Sequence, residues 1–212
     1  MLIPAFQRLA DRLGPDRVIW RYDPILLTAK YTVDYHLRWF DQMARRLEGY
    51  TKRCVFSFVD DYRHLKGLDL KPMDEEIRQT IAGHLAKAGQ ASGLEMQTCC
   101  ETVDLASLGI THGRCIDPDL FARITGIPYR GEKDRNQRAH CGCAPSIDIG
   151  AYDCCPNGCR YCYANHSSTK VWANQQKHDP HSPLLLGSLT NEDQVKDRAM
   201  PSLREGQQFM KL

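Results

Sequence analysis

The sequence predicts an α/β protein: a parallel sheet of partial (β/α)-barrel character, followed by an irregular, cysteine-rich C-terminal region. Three observations carry this expectation. Short β-rich runs alternate with amphipathic segments of helix length from Arg17 to about Glu101, and strands separated by such helices pair in parallel through right-handed crossovers. From about Asp104 onward the periodicity weakens, and Gly, Pro, Asn, Asp and Ser become frequent, which is the composition of ordered loop. Of the ten cysteines, all but Cys54 fall between Cys99 and Cys162.

The elements follow in order. MLIPAFQRLADRLG places Phe6, Leu9, Ala10 and Leu13 at helical spacing, and Gly14-Pro15 closes that helix. RVIWRYDP is a short strand ended by Asp23-Pro24. Thr32 caps a second helix, whose Val33, Leu37, Phe40, Ala44 and Leu47 share one face. RCVFSFVDDY is the second strand, with Cys54 as a small apolar residue inside it. Asp74, Glu75 and Glu76 after Pro72 suit a helix start, since negative charge is favoured at the positive end of the helix dipole, and Ile77, Ile81 and Leu85 form the apolar stripe behind them. LEMQTCCE is the third strand. His36 and His84, both on helices, are expected on the surface or between helices rather than as ligands. NHSSTKVWANQQKHDPHSPLLLGSL reads mostly as ordered loop. No repeat or linker interrupts the chain, so a single domain over 1–212 is expected, with βα units in 1–103 and a cluster-binding and loop region in 104–212.

Composition narrows the function. A formal net charge of +2 makes no field that would gather nucleic acid or an anionic membrane surface. No apolar run is long enough to span a bilayer, and Arg8, Asp11 and Arg12 interrupt the first helix, unlike the core of a signal peptide. The expected location is therefore cytoplasmic. In a reducing compartment, clustered cysteines bind metal or do redox chemistry.

Parallel α/β sheets carry their reactive groups at the carboxyl ends of the strands. Those ends hold Arg21 and Asp23, then Asp60, Asp61, Arg63 and His64, then Cys99 and Glu101. Each alone also suits a strand cap or a loop turn; together they point to a polar cavity, with Asp60 and Arg21 as candidate catalytic residues.

Cys155, Cys159 and Cys162 follow the spacing C-x3-C-x2-C, with Tyr161 directly before the last, in a loop containing Pro156 and Gly158. Three thiolates this close can converge on one face of a cubane iron-sulfur cluster and leave the fourth iron without a protein ligand. An open iron binds a small molecule, whereas a closed four-cysteine site does not. The same sulfur donors suit a tetrahedral zinc site completed by His166 or another cysteine. Cys154, beside Cys155, keeps a closed electron-transfer cluster or a thiol redox centre among the alternatives. Cys99, Cys115, Cys141 and Cys143 form a second group, able to close a structural zinc or auxiliary iron-sulfur site, or to remain separate reduced thiols.

The loop resembles the cluster motif of radical S-adenosylmethionine enzymes, in which the cluster passes one electron to a bound sulfonium and releases a 5′-deoxyadenosyl radical. DRVIWRYDPILLTAKYTVDYH, RCVFSFVDDYR, GLEMQTCCETVDL, HGRCID, KDRNQRAHCGCAPSIDIGAYDCCPNGCRYCYAN and HDPHSPLLLG together look like the domain of unknown function 1848 family, from about Leu9 to the C-terminus. That family is grouped with radical S-adenosylmethionine proteins on the strength of its three cysteines, and GCRYCYAN is similar to the cluster loops of spore-photoproduct-lyase-like members. The resemblance implies a 4Fe-4S cluster on Cys155, Cys159 and Cys162, with S-adenosylmethionine on the open iron and Tyr161 and Asn165 as its contacts. It also implies an electron donor such as flavodoxin or ferredoxin, and a substrate that it does not name. Two departures stand out. The cysteine loop follows the βα units instead of the first strand, with 50 residues after Cys162 and no evident Gly-Gly-Glu segment downstream to hold the methionine moiety. Met1 opens inside a helix where the family begins with a further strand-bearing segment, so a shortened version is expected. Reductive cleavage of S-adenosylmethionine driving radical chemistry is the expected function; the alternative is a non-catalytic module binding zinc or a closed iron-sulfur cluster.

Overall fold

The structure is a computed structural model that describes residues 2–60, 69–198 and 202–205. Among these, residues 2–60, 69–146 and 202–205 belong to one compact unit and 147–198 to a second. The single domain read from the sequence thus comprises two units, and the change of texture near residue 104 falls inside the first. Asp61, Arg63 and His64, named above as strand-end candidates, lie outside the described residues.

In the first unit, strands β1 (Trp20–Ile25), β2 (Arg53–Phe58), β3 (Glu95–Thr98) and β4 (Thr111–His112) form a four-stranded sheet in the order β1-β2-β3-β4. Every pairing is parallel. Helices α1 (Leu2–Leu13), α2 (Val33–Leu47) and α3 (Glu75–Ala91) connect or flank the first three strands. A sequential parallel order has no topological reversal, so the sheet follows the strand order of part of a (β/α) barrel rather than that of a doubly wound sheet.

Both helix starts form where the sequence places them, and each carries a cap. Thr32 Oγ1 accepts from the Tyr35 amide at 3.2 Å, and Asp74 Oδ1 accepts from the Ile77 amide at 2.9 Å. Each satisfies one of the amides that a helix start leaves without a partner. The apolar faces meet in one core: Ile25, Phe40, Phe56, Ile81 and Leu85 are fully buried, and Trp20 stacks on Phe40. Arg53, Cys54, Val55, Phe56 and Phe58 of β2 are all buried, as a central parallel strand covered on both faces requires. At the amino end of β2, Arg53 donates to Glu95 at 3.0 Å and to Asp117 at 2.9 Å, so its buried charge is compensated.

Several elements depart from the reading above. The first unit also holds β4, a 3-10 turn over Ala106–Leu108 and helix α4 (Pro118–Thr125), all within the stretch read as irregular. Helix α5 (Ser168–Gln175) of the second unit stands within the stretch read as mostly ordered loop, the rest of which holds no helix or strand; Ser167 caps it by accepting from the Lys170 amide. His84 is interhelical as expected, its Nε2 bonded to Asp41 Oδ1 of α2 at 2.8 Å. His36 is neither on the surface nor interhelical: it is buried, and it ties α2 to β1 through the Tyr22 hydroxyl and to the Leu26 carbonyl. No helix among the described residues is long and apolar enough to cross a membrane.

Candidate thiol and metal sites

At the carboxyl edge of the sheet, β1 contributes Arg21 and Asp23. Asp23 Oδ2 receives Nε of Arg21 at 3.2 Å and also its Nη2, while the Ser57 hydroxyl donates to the other carboxylate oxygen. Asp23 so fixes one edge of the guanidinium, and Arg21 Nη1 donates to the sulfur of Cys115 at 3.1 Å. Cys99 follows β3 and continues its ladder, its amide donating to the Phe56 carbonyl at 2.8 Å. Its sulfur lies 3.5 Å from that of Cys115.

Gly113 makes this approach of the two cysteines available. Its amide donates to the Thr98 carbonyl at 2.8 Å, and a Cβ there would stand 2.8 Å from Gln97 Oε1 and 2.9 Å from the Thr98 oxygen. No larger residue lets the chain cross β3 so closely. Cys143, buried, fixes the next turn by accepting the Cys115 amide at 3.2 Å and the Ile116 amide at 3.4 Å. Cys100 takes a left-handed backbone with φ 55, a conformation that costs a non-glycine residue roughly 1 kcal/mol.

Charge at this edge is shared among neighbours. The hydrogen bond from Cys115, and then the one from Arg21, favour the thiolate of Cys99 against burial and bring its pKa down to about 6, while the same shared proton pushes Cys115 up. Burial works against the charge of Arg21, but its bonds to Cys99 and Asp23 outweigh that and raise its pKa. Burial also pushes up the carboxyl of Glu101, whose Oε1 accepts the Phe58 amide at 2.7 Å, and the thiols of Cys100 and Cys141. Asp60, just past β2, pairs with Arg138 at 2.9 Å.

The strand-end residues therefore resolve into partners: Arg21 with Asp23, Cys99 and Cys115; Asp60 with Arg138; Glu101 with the backbone of β2. Sequence reasoning missed Ser57 and Arg138, which carry no motif. Among the described residues, no group of three or more His, Cys, Asp and Glu side chains stands close enough to hold a metal ion. Cys99 and Cys115 face each other as a pair, while Cys143 is occupied by backbone amides and Cys141 lies against it.

The second unit is organised around Asp153, which sequence reasoning also missed. At φ 54, its amide donates to the Ala164 carbonyl at 2.8 Å. Its Oδ1 accepts the amides of His166 and, at 3.0 Å, Ser167, and its carbonyl accepts from Asn174 Nδ2 at 3.0 Å. The His166 amide and then that of Ser167 hold this carboxyl below the usual carboxylate range. These bonds tie the neck of a loop that carries all three motif cysteines. Cys155 and Cys159 are exposed and Cys162 is half-buried. Cys154 points back, its thiol donating to the Ala151 carbonyl at 2.8 Å. Asn165 Nδ2 donates to the Cys155 carbonyl at 2.6 Å, and its Oδ1 is buried without a hydrogen-bond partner among the described residues. Tyr161 is half-buried.

A cavity of about 380 Å³ opens beside the loop, lined by Cys155, Cys159, Asn165, His166, Ser167 and Trp172 among others. That is the size of a small-molecule pocket.

No curated protein and no solved structure matches the chain. A family model described as "Domain of unknown function (DUF1848)" matches residues 1–164. The match includes the first residues, takes in Cys155, Cys159 and Cys162, and ends before Asn165, so it is shorter at the C-terminal end than the resemblance implied. The chain belongs to the DUF1848 family.

Proposed function

We propose that the chain is an iron-sulfur protein of radical S-adenosylmethionine type, in which Cys155, Cys159 and Cys162 hold a 4Fe-4S cluster and the adjoining cavity takes S-adenosylmethionine. One observation carries the reading: a loop tied at its neck by Asp153 displays three free thiols, two of which line a cavity of about 380 Å³. The donor set suits the group, since three thiolates leave one iron of a cubane open. The unpartnered Oδ1 of Asn165 supplies a buried acceptor beside the same thiols.

When bound, the cluster supplies the electron that cleaves the sulfonium. The residues of the chain orient and enclose. Asp153 holds the loop ends together, Asn165 holds the Cys155 carbonyl, and Trp172 forms an aromatic wall of the cavity. Ligation draws the three thiolates together, so its free energy also orders the loop.

The test is anaerobic purification with iron and sulfide quantification, followed by S-adenosylmethionine and strong reductant, with flavodoxin or ferredoxin as the protein donor. The expected result is about four irons and four sulfides per chain, a paramagnetic signal that shifts when S-adenosylmethionine is added, and slow release of 5′-deoxyadenosine. Cys159→Ala should abolish that release. A colourless protein holding one zinc and no iron after reconstitution would overturn the reading and leave a zinc module, with His166 on the same cavity as the natural fourth ligand.

A further inference from the structure

We propose that Cys99 and Cys115 form a redox-active dithiol at the carboxyl edge of the sheet, which reduces a disulfide substrate. The proposal stands on the first unit alone and does not depend on the cluster reading. The two sulfurs are 3.5 Å apart, and a disulfide bond needs them about 2.0 Å apart, so a small approach closes the bond. Cys99 is fixed by the ladder of β3, whereas Cys115 follows β4, a two-residue strand at the sheet edge. The Cys115 amide is held in turn by the Cys143 sulfur, so the approach falls to the two side chains.

Arg21 faces the pair from β1, held by Asp23 and Ser57. Its Nη1 donates to Cys115, whose sulfur lies against that of Cys99, so the guanidinium stabilises negative charge on the pair, the arrangement that distinguishes a reactive cysteine from an inert buried one. Cys54 is the internal contrast: it is fully buried in β2, and burial pushes its thiol up. Access is adequate, because Cys99 is half-buried and Cys115 is exposed.

The chemistry balances. One cysteine of the pair attacks, as its thiolate, one sulfur of R–S–S–R; that bond breaks, and the first RS⁻ leaves and takes a proton from water. The other cysteine gives its proton to water and attacks the sulfur of the first in the mixed disulfide, forming the Cys99–Cys115 bond and expelling the second RS⁻, which is protonated in turn. The dithiol loses two electrons and two protons and the substrate gains them. An external dithiol reductant restores the pair.

The experiment uses the full chain, reduced and desalted without oxygen. One arm receives oxidised glutathione and the other disulfide-bonded insulin, so that small-molecule and protein disulfides are distinguished. Free thiols are then blocked and the linkages mapped by mass spectrometry. In at least one arm, a Cys99–Cys115 link should form with release of two thiols per chain. Cys99→Ser and Cys115→Ser should each abolish the link, and the variant that keeps the attacking sulfur should stop at a mixed disulfide on the remaining cysteine with one thiol released; either variant remains readable if the other fails to fold. Arg21→Ala should slow the exchange roughly tenfold, the effect of losing one charge-assisted hydrogen bond to the thiol pair. Absence of the Cys99–Cys115 link in both arms would overturn the proposal. So would bound zinc that protects both thiols and is lost in Cys143→Ala, since the four cysteines would then form a metal site.

Discussion

The imidazole of His36 is buried with both nitrogens engaged: Nε2 donates to the Leu26 carbonyl and Nδ1 accepts from the Tyr22 hydroxyl. Burial disfavours the imidazolium and holds the pKa of His36 below its ordinary 6.5, although the bond to Leu26 works the other way. Protonation would also displace the bond from Tyr22, because a charged imidazole has no acceptor. Below about pH 6.5 the unfolded chain takes up a proton that the folded chain refuses. The His36 contribution is thus fully present above that pH and is lost as pH falls through the folded value. Glu101 runs oppositely: its carboxyl is pushed up by burial, so its contribution is present at low pH and is lost as pH rises through its folded value. The expected outcome is that the urea midpoint of His36→Gln changes less between pH 7.5 and 5.5 than that of the unsubstituted chain; equal changes would mean that other groups set the slope. Neither this site nor the Cys99–Cys115 pair was legible in the sequence. Sequence reasoning placed His36 on the surface or between helices because nothing local marks the Tyr22 hydroxyl as its partner. It grouped Cys99 with three other thiols by number, when the register of Thr98 with His112 is what brings Cys115 alone against it.

Elements were legible where periodicity and capping agreed. Helices α2 and α3 begin at the Thr32 cap and the acidic start at Asp74 that the residue types announce; β2 and β3 fall inside their β-rich runs, and β1 runs through Asp23-Pro24, its expected end, to Ile25. Because Asp74 accepts from the Ile77 amide at 2.9 Å, Asp74→Ala should lower stability by about 1 kcal/mol and Asp74→Asn by less, since asparagine also caps well. Equal losses in the two variants, measured by urea unfolding, would assign the effect to the charge near the helix dipole rather than to the cap. What escaped notice is short. The two residues of β4 cannot show an alternation. Helix α4 carries its signals in compressed form, with Asp117 as cap, Pro118 in the first turn and Gly126 at the end, but its eight residues give little more than two periods. Helix α5 buries only Val171, so it has no apolar stripe to read.

The two units differ in what holds them together. In the first, β2 lies inside a core of large side chains, among them Phe40, Phe56, Ile81 and Leu85. In the second, Val171 is the buried apolar side chain among the described residues, and the structure relies on the hydrogen bonds of Asp153. So little apolar burial cannot offset the entropy of ordering such a loop, and small units of this kind gain their stability from metals or disulfides. If Cys155, Cys159 and Cys162 ligate a cluster, its binding free energy becomes folding free energy for the second unit alone. Hydrogen exchange reads this directly. On removal of the metal by chelation, the amides of His166 and Ser167 and those of α5 should lose protection by orders of magnitude, while those of β2 and β3 keep theirs, because their bonds and core belong to the first unit. The same pattern is expected in Cys159→Ala without chelator. Unchanged protection around Asp153 in both samples would show that the loop stands on its own hydrogen bonds, and would remove the link between metal and folding. Loss of protection in β2 and β3 as well would show that the two units unfold together, so that the Cys99–Cys115 pair could not survive without the metal.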